Sequence, residues 1–207
     1  MKNHLLVGIV ACGLATGSAF AASPGYNWSG TYIGVGAGGA WGMVGLDNSS
    51  ANDARLSGPL VEFQGGHNWQ TGNYVFGISG DFNFSNIRGS VDWGGELYSG
   101  KIDYFGAVEA RGGLLIDPNL LLYGTIGGAF ANLSAKVDDG VLKFDDKRMM
   151  SGWTVGVGLE YALTQNTTTF LQYKHFDMGS STFRLDEDVP IHLMFDVVKA
   201  GVNFKLR

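Results

Sequence analysis

Apolar side chains recur at every second position through most of this chain. A period of two is the mark of strands, because successive side chains on an extended backbone point to opposite faces. In "NYVFGISGDFNFS", residues 73–85, Tyr74, Phe76, Ile78, Gly80, Phe82 and Phe84 share one parity, and Gly77, Ser79, Asp81, Asn83 and Ser85 share the other. The same split sets Val61, Phe63 and Trp69 against Glu62, Gln64 and Asn68. It also sets Ile102, Tyr104 and Val108 against Asp103, Glu109 and Arg111. A helical turn would mix these sets. Further strands are predicted at about 30–44, 120–135, 151–163, 168–178 and 191–206, the fifth and seventh of the series being less cleanly patterned, which makes eight strands.

Three connections are tight and carry turn residues: "QTGN" at 70–73, "DPN" at 117–119 and "TQNT" at 164–167. The other four, around 45–57, 87–98, 136–150 and 179–189, are long and polar. An even number of long strands with alternating short and long connections predicts an all-β, eight-stranded antiparallel transmembrane barrel, with short periplasmic turns and four longer external loops. Glycines at 34, 36, 38, 39 and 42 suit a narrow, curved wall. A soluble lipocalin-like barrel is the alternative, but its outside would need a surplus of Lys and Glu that the polar parity here lacks. Trp153 and Tyr161 share the apolar parity eight positions apart, roughly 26 Å of extended chain, which matches two interfacial aromatic girdles once the strand is tilted.

The amino end supplies the export route. MKNH is short and basic, LLVGIVACGLAT is apolar, and Ala19-Phe20-Ala21 has the small-x-small form of a cleavage site. Residues 1–21 are therefore predicted to be a cleaved signal peptide, and 22–207 the barrel domain. A lipid-attachment box at Ile9, Val10, Ala11 and Cys12 is the competing reading. Cleavage after Ala21 would remove Cys12, the sole cysteine, so no disulfide is expected in the exported chain. No stretch has the 18 or so uninterrupted apolar residues of a membrane helix. The formal charge of -5, without a basic tract, argues against nucleic acid as a partner.

The segments "WSGTYIGVGAGGAWG", "GGHNWQTGNYVFGISGDFNFS", "LLYGTIGGAFA", "GWTVGVGLEYALT" and "KAGVNFK" resemble the small porin-like, opacity-type outer-membrane proteins, and in particular the eight-stranded surface proteins of alphaproteobacteria. That resemblance covers essentially the whole chain after the signal. It implies an outer-membrane barrel of surface, envelope-stabilising, adhesive, haem-binding or weakly channel-forming character. It also implies a closing strand recognised by the barrel-assembly machinery. Lys199, Gly201, Phe204 and Leu206 match that signal, although the chain ends Leu206-Arg207 where the family usually ends on an aromatic.

Seven charged residues fall on the predicted inward parity: Glu62, Asp81, Glu109, Arg111, Glu160, Lys174 and Lys199. Most sit at similar depth from the nearest periplasmic turn, so one belt of paired charges is expected to fill the lumen. A tip at Thr71-Gly72 would pair Gln70 with Asn73 and put Glu62 opposite Asp81. Glu160 would neighbour Phe170 or Gln172 on the next strand, leaving open which cation it meets. Of the four histidines, His4 leaves with the signal and His67 has the apolar parity near a turn. His175 and His192 flank the last external loop as possible cross-strand neighbours that could hold a metal or haem iron. The alternative is a pair of rim histidines beside lipid headgroups. No other cofactor is expected.

"DDGVLKFDDKR" at 138–148 and "RLDEDVP" at 184–190 read as solvated loop tips that could contact lipopolysaccharide, divalent cations or a host surface. No nucleophile is placed beside a base, so an enzyme is not expected. Surface architecture and interaction is the reading the sequence supports, with a small passive channel, or a lipid-modifying enzyme, as alternatives.

Overall fold

The computed structural model describes residues 25–46, 54–93, 96–138, 143–184 and 188–206. The proposed signal, with His4 and Cys12, lies outside them. Eight strands run β1 Gly30–Leu46, β2 Ala54–Thr71, β3 Tyr74–Trp93, β4 Glu96–Asp117, β5 Leu120–Asp138, β6 Lys143–Ala162, β7 Thr167–Arg184 and β8 Asp188–Lys205. Each is antiparallel to the next, and β8 returns to β1 to close the barrel. Closure is what a membrane demands, because lipid offers no partner to the free N–H and C=O groups of a sheet edge.

The outer wall is oily. Trp153, Val155, Val157, Leu159, Tyr161 and Leu163 are all exposed, in the alternation expected of that segment. Trp69 and Tyr74 crown the outside near the short turns, and Trp41 and Trp153 near the opposite end. An apolar exterior disposes of the soluble alternative, whose outside would be wet.

Three expectations need correction. The first concerns the β2–β3 hairpin, where Thr71 pairs with Tyr74 and the tip is Gly72-Asn73. Gly72 has φ = 59°, the left-handed conformation that a two-residue tip requires and glycine adopts freely. The register therefore moves, so that Glu62 faces Asn83 and Gln64 faces Asp81.

The second concerns the external connections. Ladder pairing continues well past the expected strand ends, leaving only 47–53, 94–95, 139–142 and 185–187 between strands, all outside the described residues. Backbone pairing is indifferent to side-chain polarity. Where a hairpin leaves the membrane and both its faces become polar, the period-two signal fades while the strand goes on.

The third concerns the interior. The ladder slips between Phe84 and Ile87 in β3–β4 and between Ile102 and Tyr104 in β4–β5. An extra residue at such a bulge reverses the parity beyond it. On β4 Ile102 therefore points inward and is fully buried, where it was expected outside, and it joins in the interior Ile87, which keeps the inward parity of Asp81 and Asn83 on β3. A belt of paired charges was expected to fill the lumen, yet its external half is an apolar core that includes Leu56, Leu60, Phe105, Phe176, Phe195 and Val197. Phe176 and Phe195 stack at 4.8 Å, and Phe105 meets them edge-on at 5.2 and 5.1 Å.

The opposite mouth is stoppered by residues 25–29. Tyr26 and Trp28 pack with Val75, Leu121 and Tyr123, their two rings edge-on at 4.8 Å. The segment is tied down by Trp28 N–H to Gln70 (2.9 Å), Trp28 Nε1–H to the Pro118 carbonyl (3.3 Å) and Lys205 Nζ to the Asn27 carbonyl (2.7 Å).

Candidate functional site

Between the aromatic stopper and the apolar core lies the polar layer of the lumen. Along β7 the inward residues read Phe170, Gln172, Lys174, Phe176, so one strand passes from beside the stopper, through the charges, into the core. Two strands away, beyond β8, β1 offers Gly34, Gly36 and Gly38 at this depth, and those glycines make room. A Cβ on Gly36 would lie 2.9 Å from Glu62 Oε2 and 3.1 Å from the Phe170 ring.

All seven charged residues expected inside are there and buried. They form two groups. In the first, Lys174 Nζ donates to Asp81 and to Glu109 (2.7 Å), and Lys199 Nζ donates to Glu62 and lies 3.9 Å from Asp81. The order Glu62, Lys199, Asp81, Lys174, Glu109 alternates in sign, and each cation separates carboxylates that would otherwise repel. Asn83 Nδ2 adds a 2.6 Å bond to Asp81.

In the second group Arg111 Nη2 donates to Glu160, which also accepts from Thr168 Oγ1 and from Asn203 Nδ2 (2.8 Å). The guanidinium lies 3.7 Å over the Tyr123 ring and donates to the Tyr32 hydroxyl at 3.2 Å. The cation that Glu160 meets is thus Arg111, from β4 rather than an adjacent strand. Phe170 is its pairing neighbour on β7, one of the two positions expected. Between this group and the stopper, a cavity of about 10 Å³ lined by Tyr26, Trp28, Tyr32, Thr168 and Asn203 is the size of a single water.

The histidines do not form the arrangement anticipated for them. His175 pairs with Asp196 and His192 with Ser180, so they are not cross-strand neighbours. The His175 imidazole is 2.8 Å from the Asp196 carboxylate, which also accepts from the Tyr173 hydroxyl at 2.7 Å, and His192 lies 3.7 Å from Asp177. His67 is 2.8 Å from the Thr31 hydroxyl. Among the described residues, no three His, Cys, Asp or Glu side chains converge as a metal set.

Of the closing-strand residues, Lys199 points into the lumen, whereas Phe204 and Leu206 face outward and exposed. Leu206 N–H donates to the Thr31 carbonyl at 2.8 Å, fastening the end of the chain to β1. The loop-tip side chains of 138–148 and 184–190 lie outside the described residues for the most part.

Sequence reasoning missed the uncharged partners Tyr32, Tyr123, Thr168 and Asn203, which lie on the inward parity but carry no charge to single them out. It also missed the stopper. Tyr26 and Trp28, two aromatics at alternate positions ahead of β1, were the available signal.

The model of the outer membrane protein beta-barrel domain family matches residues 9–205. The 31 kDa outer-membrane immunogenic protein of Brucella melitensis is 32% identical over 203 residues, covering 87% of this chain and 84% of its own. The 22 kDa outer membrane protein of Rhizobium leguminosarum bv. viciae is 32% identical over 163 residues, covering 79% and 70% respectively. Among solved structures, Neisserial surface protein A aligns with a TM-score of 0.51 at 19% identity, covering 86% of this chain and 98% of its own, a likeness of fold.

Proposed function

The chain belongs to the outer membrane protein beta-barrel domain family and is a surface barrel of the bacterial outer membrane; from that premise we propose that it works through its two rims and not through its interior. In this reading it is a closed, non-enzymatic structural element of the envelope. Its external hairpins meet lipopolysaccharide or a host surface, and its seven-residue charge layer, Glu62, Asp81, Glu109, Arg111, Glu160, Lys174 and Lys199, holds the barrel together.

The observation that carries this reading is the filled lumen. Aromatic stopper, ion-paired layer and phenylalanine core succeed one another from mouth to mouth, and each occupies the space a solute path would need. The name of the Brucella relatives, which calls them immunogenic, supports display at the cell surface. Residues 1–21 are proposed to be the export signal, and Lys199, Gly201, Phe204 and Leu206 the assembly signal.

A deletion strain and its complemented parent test the proposal. Loss of the protein is expected to raise detergent sensitivity or lower surface attachment while leaving uptake of small solutes unchanged. A selective fall in solute uptake with normal detergent resistance and attachment would refute it. Haem uptake assayed on the same strains addresses His175 and His192, for which no change is expected.

A further inference from the structure

The outer face of β2 to β5 carries two features that a plain lipid-facing wall does not need. The first is a row of cations. Trp41 of the external girdle pairs with Ser57, Ser57 with Arg88, and Arg88 with Lys101. Arg55, two residues from Ser57 on β2, shares its face. Behind this row the wall is lined by Leu56, Ile87, Ile102 and Leu133, all buried in the apolar core, so the three cations stay outside. Like charges directly opposite each other on a ladder are destabilising, yet Arg88 faces Lys101. Lys101 is matched by Asp103 on its own strand. Arg88 Nε donates to the Asn86 side-chain oxygen at 2.7 Å, which leaves its two Nη groups, with the whole of the Arg55 head, to meet something outside the barrel.

The second feature is a ledge of aromatic rings on the hydrocarbon side of the cations, Phe84 lying four residues before Arg88 on β3. Phe82 stacks on Tyr104 at 5.6 Å and meets Phe84 edge-on at 5.0 Å. Phe84 reaches Phe63 at 6.4 Å, and Phe130 approaches Phe82 at 6.2 Å. Gly106 lies between Phe82 and Phe130 in the two ladders, and a Cβ there would stand 2.8 Å from the Phe130 ring. Glycine at this position lets rings from four strands join in one apolar surface. The far side of the barrel is built differently. There the external girdle sets carboxylates beside its tryptophans, Asp196 opposite Trp41 and Asp177 opposite Trp153.

We propose that the outer face of β2 to β5 is a seat for one anionic glycolipid of the outer leaflet, lipopolysaccharide, with its acyl chains on the ring ledge and its acidic headgroup against Arg55, Arg88 and Lys101. The seat rests on the reading of the chain as an outer-membrane barrel whose external side meets lipopolysaccharide, and adds a place and a chemistry to it. Charge complementarity selects the occupant, since guanidinium forks match phosphate and carboxylate oxygens. The cations span β2 to β4, roughly 10 Å at the usual strand spacing. That width suits a disaccharide headgroup with more than one acidic group, whereas a single phosphodiester would reach only part of the row. The aspartates of the far side give the barrel a face that the same headgroup avoids.

The test compares wild type with the double variant Arg55→Gln, Arg88→Gln, each refolded in uncharged detergent micelles and checked by its heat-modifiable band. The probe is purified lipopolysaccharide with a bis-phosphorylated lipid A, and Kd is measured over a range of salt. Expected is binding about thirtyfold weaker in the variant, taking about fivefold for each cation lost near a lipid surface, with a shallower dependence on salt. Asp177→Asn with Asp196→Asn, on the far side, should bind as wild type does.

Equal binding by wild type and the arginine variant would overturn the proposal, as would equal affinity of wild type for phosphatidylglycerol in the same micelles. A wild type that dimerises without lipid through these arginines would assign the face to a second copy and overturn it too. If the variant does not fold, wild type alone decides, because dephosphorylated lipopolysaccharide should bind more weakly and equal binding would overturn the seat. Binding is read on purified protein, so its failure refutes this site without touching the deletion phenotypes that test the surface role.

Discussion

Arg111 and Glu160 show how much one residue can matter inside a narrow barrel. Arg111→Met would leave Glu160 with Thr168 and Asn203 but without a countercharge. A loss of about 3–5 kcal/mol is expected, as for a buried pair deprived of one partner, and urea unfolding in vesicles measures it. The double substitution Arg111→Met, Glu160→Gln should recover part of that loss. Tyr26 is the residue whose titration should be visible outside the membrane. Burial, and then the nearby Glu160 carboxylate, push its phenol up to about 12. Stability from the neutral phenol is complete below the unfolded value of about 10 and is lost as pH rises through 12. Tyr26→Phe should remove that alkaline loss, seen as a smaller difference between unfolding midpoints at pH 9 and pH 12. At this scale the sequence was legible in part. Alternation put Glu160 in the lumen, but its cation comes from β4, two strands away, and pairing across a lumen depends on side-chain reach that neither parity nor hairpin register encodes.

Among the elements, the ends of the chain are more consequential than their lengths suggest. Trp28→Ala should destabilise the barrel by about 3 kcal/mol, the lower end of the cost of truncating a buried large aromatic, because the indole fills the mouth against Val75, Leu121 and Tyr123. The urea midpoint reads this directly. Deleting residues 204–207 should abolish the heat-modifiable folded band in the outer membrane, since it removes Phe204 and the Leu206 bond to Thr31; normal folded yield would exclude an assembly role for this end. All eight strands were legible from period two. Their external limits were not, because the alternation ends where lipid ends while the ladder continues. Nor was the parity of Ile102, because the bulge beside Asp103 reverses inside and outside without any residue that marks it.

For the molecule as a whole, two hydrophobic surfaces are separated by one wall of sheet. The outer one meets lipid, and the inner one packs the phenylalanines and the stopper, with the charges held between. An apolar interior is the trait that a soluble barrel would share, so the exposed ring of Trp41, Trp69, Trp153 and Tyr161 is what distinguishes the two solvents. Family membership agrees with that reading. The sealed interior is the central claim, and single-channel recording on the purified barrel in a planar bilayer tests it most directly. A quiet baseline is expected across the voltage range, and reproducible steps on the nanosiemens scale from the wild-type protein would contradict it.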